Sequence, residues 1–270
     1  SAARKLPVWS KSPFKEKTLD QDQPDLILWA DTFNRYFDPE NLYATLRVLK
    51  AGGYKVIVAE PKDGGRDLCC GRTFLAAGLV DEARLEARRV IESFAPYIEK
   101  GIPIIGLEPS CLLTLRDEYK SMLPGKDTDE LAENSFLIEE FLAQELESGR
   151  LNLKLKPTKY KKALLHGHCH QKAFAIMGSV ETILSQIPNL KVEIISGSCC
   201  GMAGAFGYDK NNLSVSLRMA EATLLPAVRA ADLNTVIVAD GTSCRHQIDE
   251  GSKHKSVHLV KVLDCALAET

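Results

Sequence analysis

The chain has 270 residues, enough for one large domain or two small ones at roughly 150 residues apiece. Hydrophobic residues make up 45% and charged residues 26%, and runs such as Lys55 to Ala59 fall far short of the roughly 20 apolar residues of a membrane span, which excludes disorder and a transmembrane segment. A net charge of -2 with no evident basic face excludes nucleic acid as a partner.

The chain opens Ser1-Ala2-Ala3-Arg4-Lys5, without a Met or an apolar leader, and reads as a trimmed or expressed fragment with no secretion signal. A reducing cytoplasm is therefore expected. Residues 1 to 24, proline-bearing and of mixed charge, read as an amino-terminal arm. Residues 25 to 122 then give an apolar run Asp25 to Ala30, a helix-like stretch from Pro39 to Lys50 and a Val/Ile-rich run Tyr54 to Ala59, followed by Cys69-Cys70-Gly71. An amphipathic helix is expected from Asp81, as N-cap, to Gly101, with Ala83, Ala87, Val90, Ile91, Phe94 and Ile98 on one face. A strand Ile102 to Leu107 leads into Pro109-Ser110-Cys111 and another helix. Residues 123 to 162 read as a helical connector, acidic from Asp129 to Glu147.

The order returns in residues 163 to 270. Strand Ala163 to Gly167 enters His168-Cys169-His170; helix Val180 to Ile187 and strand Lys191 to Ile195 lead to Cys199-Cys200-Gly201; a long helix from Leu213 to Ala231 and strand Thr235 to Ala239 precede Cys244. The two halves therefore read as duplicates, Cys70 corresponding to Cys200 and Cys111 to Cys244. Alternating strand and helix predicts an α/β fold, each half a small parallel sheet flanked by helices. In such sheets sites gather beyond the strand carboxyl ends, so the cysteine loops are expected there, facing a shared cleft.

Eight cysteines in a reducing compartment point to metal or redox chemistry rather than disulfides. Thiolates are the ligands, and a Cys between a strand end and a helix N-terminus has its pKa lowered by unsatisfied N–H groups. Adjacent strand residues point to opposite faces, so Cys69-Cys70 and Cys199-Cys200 reach one centre only where the chain turns, and Gly71 and Gly201 permit the turn. Cys169, Cys199, Cys200 and Cys244 supply the four thiolates usual for an iron–sulfur cluster, 4Fe-4S among them. A structural zinc is the alternative, although its usual Cys-x2-4-Cys pairing is missing. Cys69, Cys70 and Cys111 are three thiols only, which ranks the first half as a supporting or vestigial site.

His166, His168 and His170 flank Cys169 and read as ligands, as donors to its sulfur or as polar residues at a strand end, the latter two readings outweighing direct ligation; His168 and His170, with Gly201, are expected to line the cofactor. His246 is similarly placed beside Cys244, while His254 and His258 in a basic stretch are expected at the surface. Cys265, among Leu259, Val262, Leu263 and Leu267, is expected to fill core volume. No Gly-x-Gly-x-x-Gly follows a strand, so a dinucleotide site is not supported.

Asp31-Thr32-Phe33, Leu68-Cys69-Cys70-Gly71-Arg72, Glu108-Pro109-Ser110-Cys111-Leu112 with Arg116-Asp117-Glu118-Tyr119, His166-Gly167-His168-Cys169-His170-Gln171-Lys172-Ala173, Cys199-Cys200-Gly201-Met202-Ala203-Gly204 and Gly241-Thr242-Ser243-Cys244-Arg245-His246-Gln247-Ile248 together resemble the cysteine-rich CCG-domain family. Heterodisulfide reductase, anaerobic glycerol-3-phosphate dehydrogenase and glycolate oxidase each contain a subunit that belongs to it, the iron–sulfur one in glycolate oxidase. The C-terminal region of fused FAD-linked D-2-hydroxyacid dehydrogenases is the nearest likeness. The resemblance implies an iron–sulfur electron-transfer domain that passes electrons from flavin to a downstream acceptor. FAD and ferredoxin-like domains would lie in a missing region or a partner chain, with the protein cytoplasmic or peripheral at the inner membrane face. The full family repeat offers five cysteines, and here Thr32, Glu108 and Gly241 stand at three of those positions. An oxygen ligand from Asp31 or Glu108, or an empty first site, both remain open. The rival reading is a zinc-stabilised, non-catalytic interaction domain of the same flavoprotein.

Overall fold

A computed structural model describes residues 4–16, 23–197 and 199–268. The chain divides into two compact units, Trp9–Asn152 and the chain from Leu153 onward joined by the segment that ends at Val8. The first unit runs β1 Leu26–Leu28, α1 Thr32–Tyr36, α2 Glu40–Ala51, β2 Val56–Val58, α3 Arg72–Ala76, α4 Val80–Ile98, β3 Ile104–Gly106, α5 Pro109–Arg116, α6 Glu118–Met122, α7 Lys126–Glu133, β4 Ser135–Leu137 and α8 Ile138–Glu147. The second runs β5 Lys162–Leu165, α9 Cys169–Ala173, α10 Met177–Leu184, β6 Lys191–Ile194, α11 Leu213–Ala222, α12 Leu224–Arg229, β7 Thr235–Val238, α13 Thr242–Gly251, β8 Ser256–Val257 and α14 Leu259–Ala266.

Every strand pairing is parallel, and the sheet orders are β2-β1-β3-β4 and β6-β5-β7-β8, the same topology twice. β1, β3 and β7 are buried along their whole length because helices cover both faces of their sheets, which is why they read as unbroken apolar runs rather than alternating ones. Among the described residues no helix is long and apolar enough to cross a membrane.

Several elements differ from the sequence expectation. The stretch read as a helical connector also holds β4, whose three residues pair with β3 as the fourth strand of the first sheet. The helix expected from Asp81 is capped at Leu79, and Asp81 lies inside its first turn, paired with Arg84 at 3.1 Å. The helix expected over 213–231 breaks at Thr223, where φ is -150°. Pro226 explains the break, since its ring would clash with the carbonyl of Ala222 in a continuous helix.

The segment read as an arm is anchored by side chains that periodicity does not reveal. Phe14 is buried against Tyr43 at 4.9 Å, Trp9 stacks on Phe37 at 4.5 Å, and the Arg4 guanidinium is buried in the second unit, donating to Gln247 Oε1 at 2.6 Å. Residues 17 to 22 of that segment lie outside the described residues.

The two Cys-Cys-Gly glycines are required by geometry. Gly71 and Gly201 have φ of 75° and 87°, and a Cβ at Gly201 would stand 2.2 Å from the backbone oxygen of Ser216 in α11. Gly201→Ala is therefore expected to destabilise the chain by about 3 kcal/mol or more, from left-handed backbone strain plus overpacking. Exposed Gly178 in α10 has nothing within 4 Å of its Cβ position, and Gly178→Ala should stabilise by about 0.5 kcal/mol. Denaturant midpoints of the two variants check both signs; equal midpoints would refute the role given to Gly201.

Candidate metal centre

The duplicated sheets place equivalent residues at equivalent turns. Thr32 and Cys169 are each the first residue of the helix after the first strand of their sheet; Cys111 and Cys244 are each the third residue of the helix after the third, or equivalent, strand. Asp31 and His168 precede them as N-caps with nearly the same backbone angles, φ -62° and ψ 160° against φ -63° and ψ 150°. The double cysteines follow β2 and β6. All seven cysteines of the two sites thus lie in segments that follow strand carboxyl ends, and all but Cys199 and Cys200 lie at or just before a helix N-terminus, where free N–H groups are offered.

In the second unit four thiols form a connected set. The Cys169 thiol hydrogen-bonds Cys199, Cys199 and Cys200 interact in turn, and the Cys200 and Cys244 sulfurs are 3.4 Å apart. Cys200 and Cys244 are buried in the core beside Met202, Leu164 and Ile248, whereas Cys169 and Cys199 are half-buried. The Cys199 pKa is pulled far down, first by the Cys169 thiol, then by Cys200 and the backbone N–H groups of Gly201 and Ala203. Gly201 N is 3.3 Å from Cys199 Sγ. Cys244 is also pulled well down, by the Cys200 thiol and then by His166. Cys169 and Cys200 are pushed up, each chiefly by the neighbouring sulfur that ionises first. Four thiolates this close repel one another, and a bound cation reverses that balance by taking all of them as ligands.

The first unit is built on the same plan with different chemistry. All three thiols titrate high: Cys69 because of Cys70, Cys70 because of Cys111, and Cys111 to about 12, where burial, Asp31 and Glu108 outweigh the Cys70 thiol that lowers it. Asp31 itself is pushed up to about 6 by burial and by Glu108. Both carboxylates are engaged as helix caps. Asp31 accepts from Phe33 N, Asn34 N and Asn34 Nδ2 at 3.0, 3.1 and 2.7 Å, and Glu108 accepts from Ser110 N and Oγ at 3.3 and 2.7 Å. The Thr32 hydroxyl bonds to Cys69.

The histidines separate by position. His168 caps α9, its Nδ1 accepting from His170 N at 3.2 Å, while the two rings stand edge to face 5.1 Å apart. A Cβ at Gly241 would lie 2.5 Å from His168 Cδ2, so the His168 ring fills the space of a side chain at that position. His246 shares a hydrogen bond with the Tyr208 hydroxyl at 2.5 Å. His258, expected at the surface, is fully buried: its Nδ1 accepts from Val260 N at 3.2 Å and faces Asp240 at 3.6 Å, which makes it the cap of α14. Cys265, expected in the core, is exposed. Leu259, Val260, Val262, Leu263 and Ala266 form the buried stripe of α14, and position 265 falls outside it.

Residue types alone did not reveal a supporting network at this site. Gln171 Oε1 accepts from His168 N at 2.9 Å while its Nε2 donates to Asp240 Oδ2 at 2.9 Å, and Asp240 Oδ1 accepts from Leu259 N at 2.9 Å. These buried bonds tie the Cys169 turn to the end of β7 and the start of α14. Among the described residues, the one trio of possible metal donors within 4.8 Å of one another is His166, Cys200 and Cys244, all buried.

The profile of the CCG cysteine-rich domain matches residues 32–116 and again 163–249. The chain is 28% identical over 261 residues to a subunit of the anaerobic glycerol-3-phosphate dehydrogenase of Escherichia coli (strain K12), covering 96% of this chain and 63% of that protein. It is 25% identical over 250 residues to the D-2-hydroxyglutarate dehydrogenase of the same strain, covering 90% of this chain but 23% of the relative. Lactate utilization protein A 2 of Bacillus cereus (strain Q1) is 26% identical over 214 residues, 74% of this chain and 84% of its own length. The chain therefore spans under two thirds of the first relative and about a quarter of the dehydrogenase.

Proposed function

This chain belongs to the CCG cysteine-rich domain family, with two copies of the domain, and on that premise we propose that it is an iron–sulfur electron-transfer domain of a FAD-linked dehydrogenase acting on a D-2-hydroxyacid. The observation that carries the reading is the connected set Cys169, Cys199, Cys200 and Cys244, two of whose thiols are already biased toward thiolate. These residues would hold the group, which when bound supplies reversible one-electron storage. Gly201 N–H hydrogen-bonds the Cys199 sulfur, a contact that would raise the reduction potential of a bound cluster by stabilising added negative charge. The core around Cys200 and Cys244 excludes water, while half-buried Cys169 and Cys199 offer an exposed edge for electron entry and exit.

Two of the relatives' names support the hydroxyacid class, a D-2-hydroxyglutarate dehydrogenase and a lactate utilization protein, while the glycerol-3-phosphate dehydrogenase subunit supports only the wider class of dehydrogenases that oxidise an alcohol carbon. We assign the flavin, a ferredoxin-like segment and the acceptor to parts outside this sequence, and the chain to a reducing cytoplasm in keeping with its eight free thiols. Metal analysis of the full chain, produced and purified without oxygen, tests the proposal. Iron with a comparable amount of acid-labile sulfide is the expected result; zinc without sulfide would replace it with a zinc-stabilised interaction domain.

A further inference from the structure

The geometry points to His166 as a nitrogen ligand of the metal centre in the second unit, completing a donor set with Cys200 and Cys244; this rests on the metal-binding reading above. The side chain is 3% exposed, and neither ring nitrogen meets a hydrogen-bond partner of normal geometry. An imidazole stripped of water with its donor and acceptor unpaired costs about 1–3 kcal/mol for each group left so. The group that the ring faces is the Cys244 thiol, which it pulls toward thiolate, and a metal held by that sulfur would satisfy a ring nitrogen as well.

The nearest groups fit such a metal. One ring nitrogen and the Cys200 and Cys244 sulfurs all lie within 4.8 Å of one another, and the two sulfurs are 3.4 Å apart. With usual bond lengths, two thiolates on one tetrahedral metal stand about 3.8 Å apart and a thiolate and an imidazole nitrogen about 3.6 Å. The two sulfurs are therefore spaced nearly as a metal would space them, with a ring nitrogen of His166 close beside both. The backbone fixes this: His166 N donates to Val238 O at 2.8 Å, locking the residue at the end of the central strand next to the strand that leads to Cys244. His168, by contrast, spends its Nδ1 as a helix cap. Of the histidines flanking Cys169, His166 is the one that forms a compact trio with two sulfurs.

Two measurements on the full chain, handled without oxygen, test the assignment. In the first, reduced metal-free protein is titrated with Co2+ alone, whose ligand-field and sulfur-to-cobalt bands report the donors without any need for cluster assembly. His166→Gln keeps a hydrogen-bonding group but is a poor ligand, and should weaken Co2+ binding by at least about tenfold. His166→Cys should restore affinity and add sulfur-to-cobalt absorption, and His254→Gln should change nothing. Wild-type affinity and unchanged bands in His166→Gln, or no added sulfur band in His166→Cys, would overturn the proposal.

In the second, iron-loaded protein carrying 15N-histidine is examined by pulsed EPR. A strong nitrogen coupling should be present in wild type and gone in His166→Cys, whose bound iron is retained. Iron and sulfide bound with no response of either measurement to His166 would remove the ligand and leave the iron–sulfur reading standing. Absence of iron and sulfide, with Co2+ binding that still depends on His166, would do the reverse.

Discussion

Protein made and kept without oxygen should be brown, and Cys200→Ala should remove most of the colour and lower bound iron by more than about tenfold, the scale on which even residues supporting a metal ligand act. Cys200 stands between Cys199 and Cys244 in the sulfur network, 3.4 Å from Cys244, so its loss separates the buried Cys244 thiol from the half-buried pair Cys169 and Cys199. The apolar neighbours Met202, Leu164 and Ile248 cannot replace its thiolate, and the nearby His166 and Cys244 are donors already counted in the same centre. Cys265→Ala is the matched control, an exposed thiol on α14 outside both sites. Iron and visible absorbance per chain, measured on wild type and both variants, decide it; equal colour in wild type and Cys200→Ala would count against the assigned centre.

The fold was legible because its signals were repeated. Short runs such as Leu26-Ile27-Leu28 and Thr235-Val236-Ile237-Val238 are mostly apolar and buried throughout, and each is followed by a turn and a helix, with Cys244 in the first turn of the helix after the second run; together these specify a parallel sheet with sites at its carboxyl edge. The fourth strand of each sheet was not legible. Ser135-Phe136-Leu137 sits between two helices and Ser256-Val257 in a basic stretch, and neither is long enough to show a period. The same limit hid the roles of single residues. Arg4 and His258 have polar side chains whose burial depends on long-range partners, Gln247 and Asp240, and nothing local marks either. Cys265 shows the converse error, since an apolar helix does not say which of its residues faces the core. At the candidate centre the spacing singles out the cysteines as candidates, but not the burial of the His166 ring beside two sulfurs, because burial without ordinary hydrogen bonds is a property of the packed structure.

The two sites should differ sharply in how much metal they hold: Cys169→Ala is expected to lower bound iron by about tenfold and Cys69→Ala to leave it nearly unchanged. Their shared topology makes the comparison a clean one, since position for position the turns are the same and the chemistry differs. Cys169 is the first residue of α9, and its counterpart in the first unit is Thr32, a hydroxyl that bonds to Cys69. Cys244 is pulled toward thiolate by Cys200 and His166, whereas its counterpart Cys111 is pushed up to about 12, with two buried carboxylates opposing its ionisation. Those carboxylates are themselves held as helix caps by backbone N–H groups, so turning either toward a metal would sacrifice a cap worth about 1 kcal/mol. Among the described residues the first unit also has no three donors within 4.8 Å of one another. A metal entering there would have to deprotonate three resisting thiols and draw them together; in the second unit two of the four thiols are biased toward ionisation and the buried sulfurs are already adjacent. Iron counts on the two variants, with circular dichroism to confirm that each remains folded, measure the difference. Equal losses would mean that the seven cysteines act as equivalent or shared centres, and the ranking would fall.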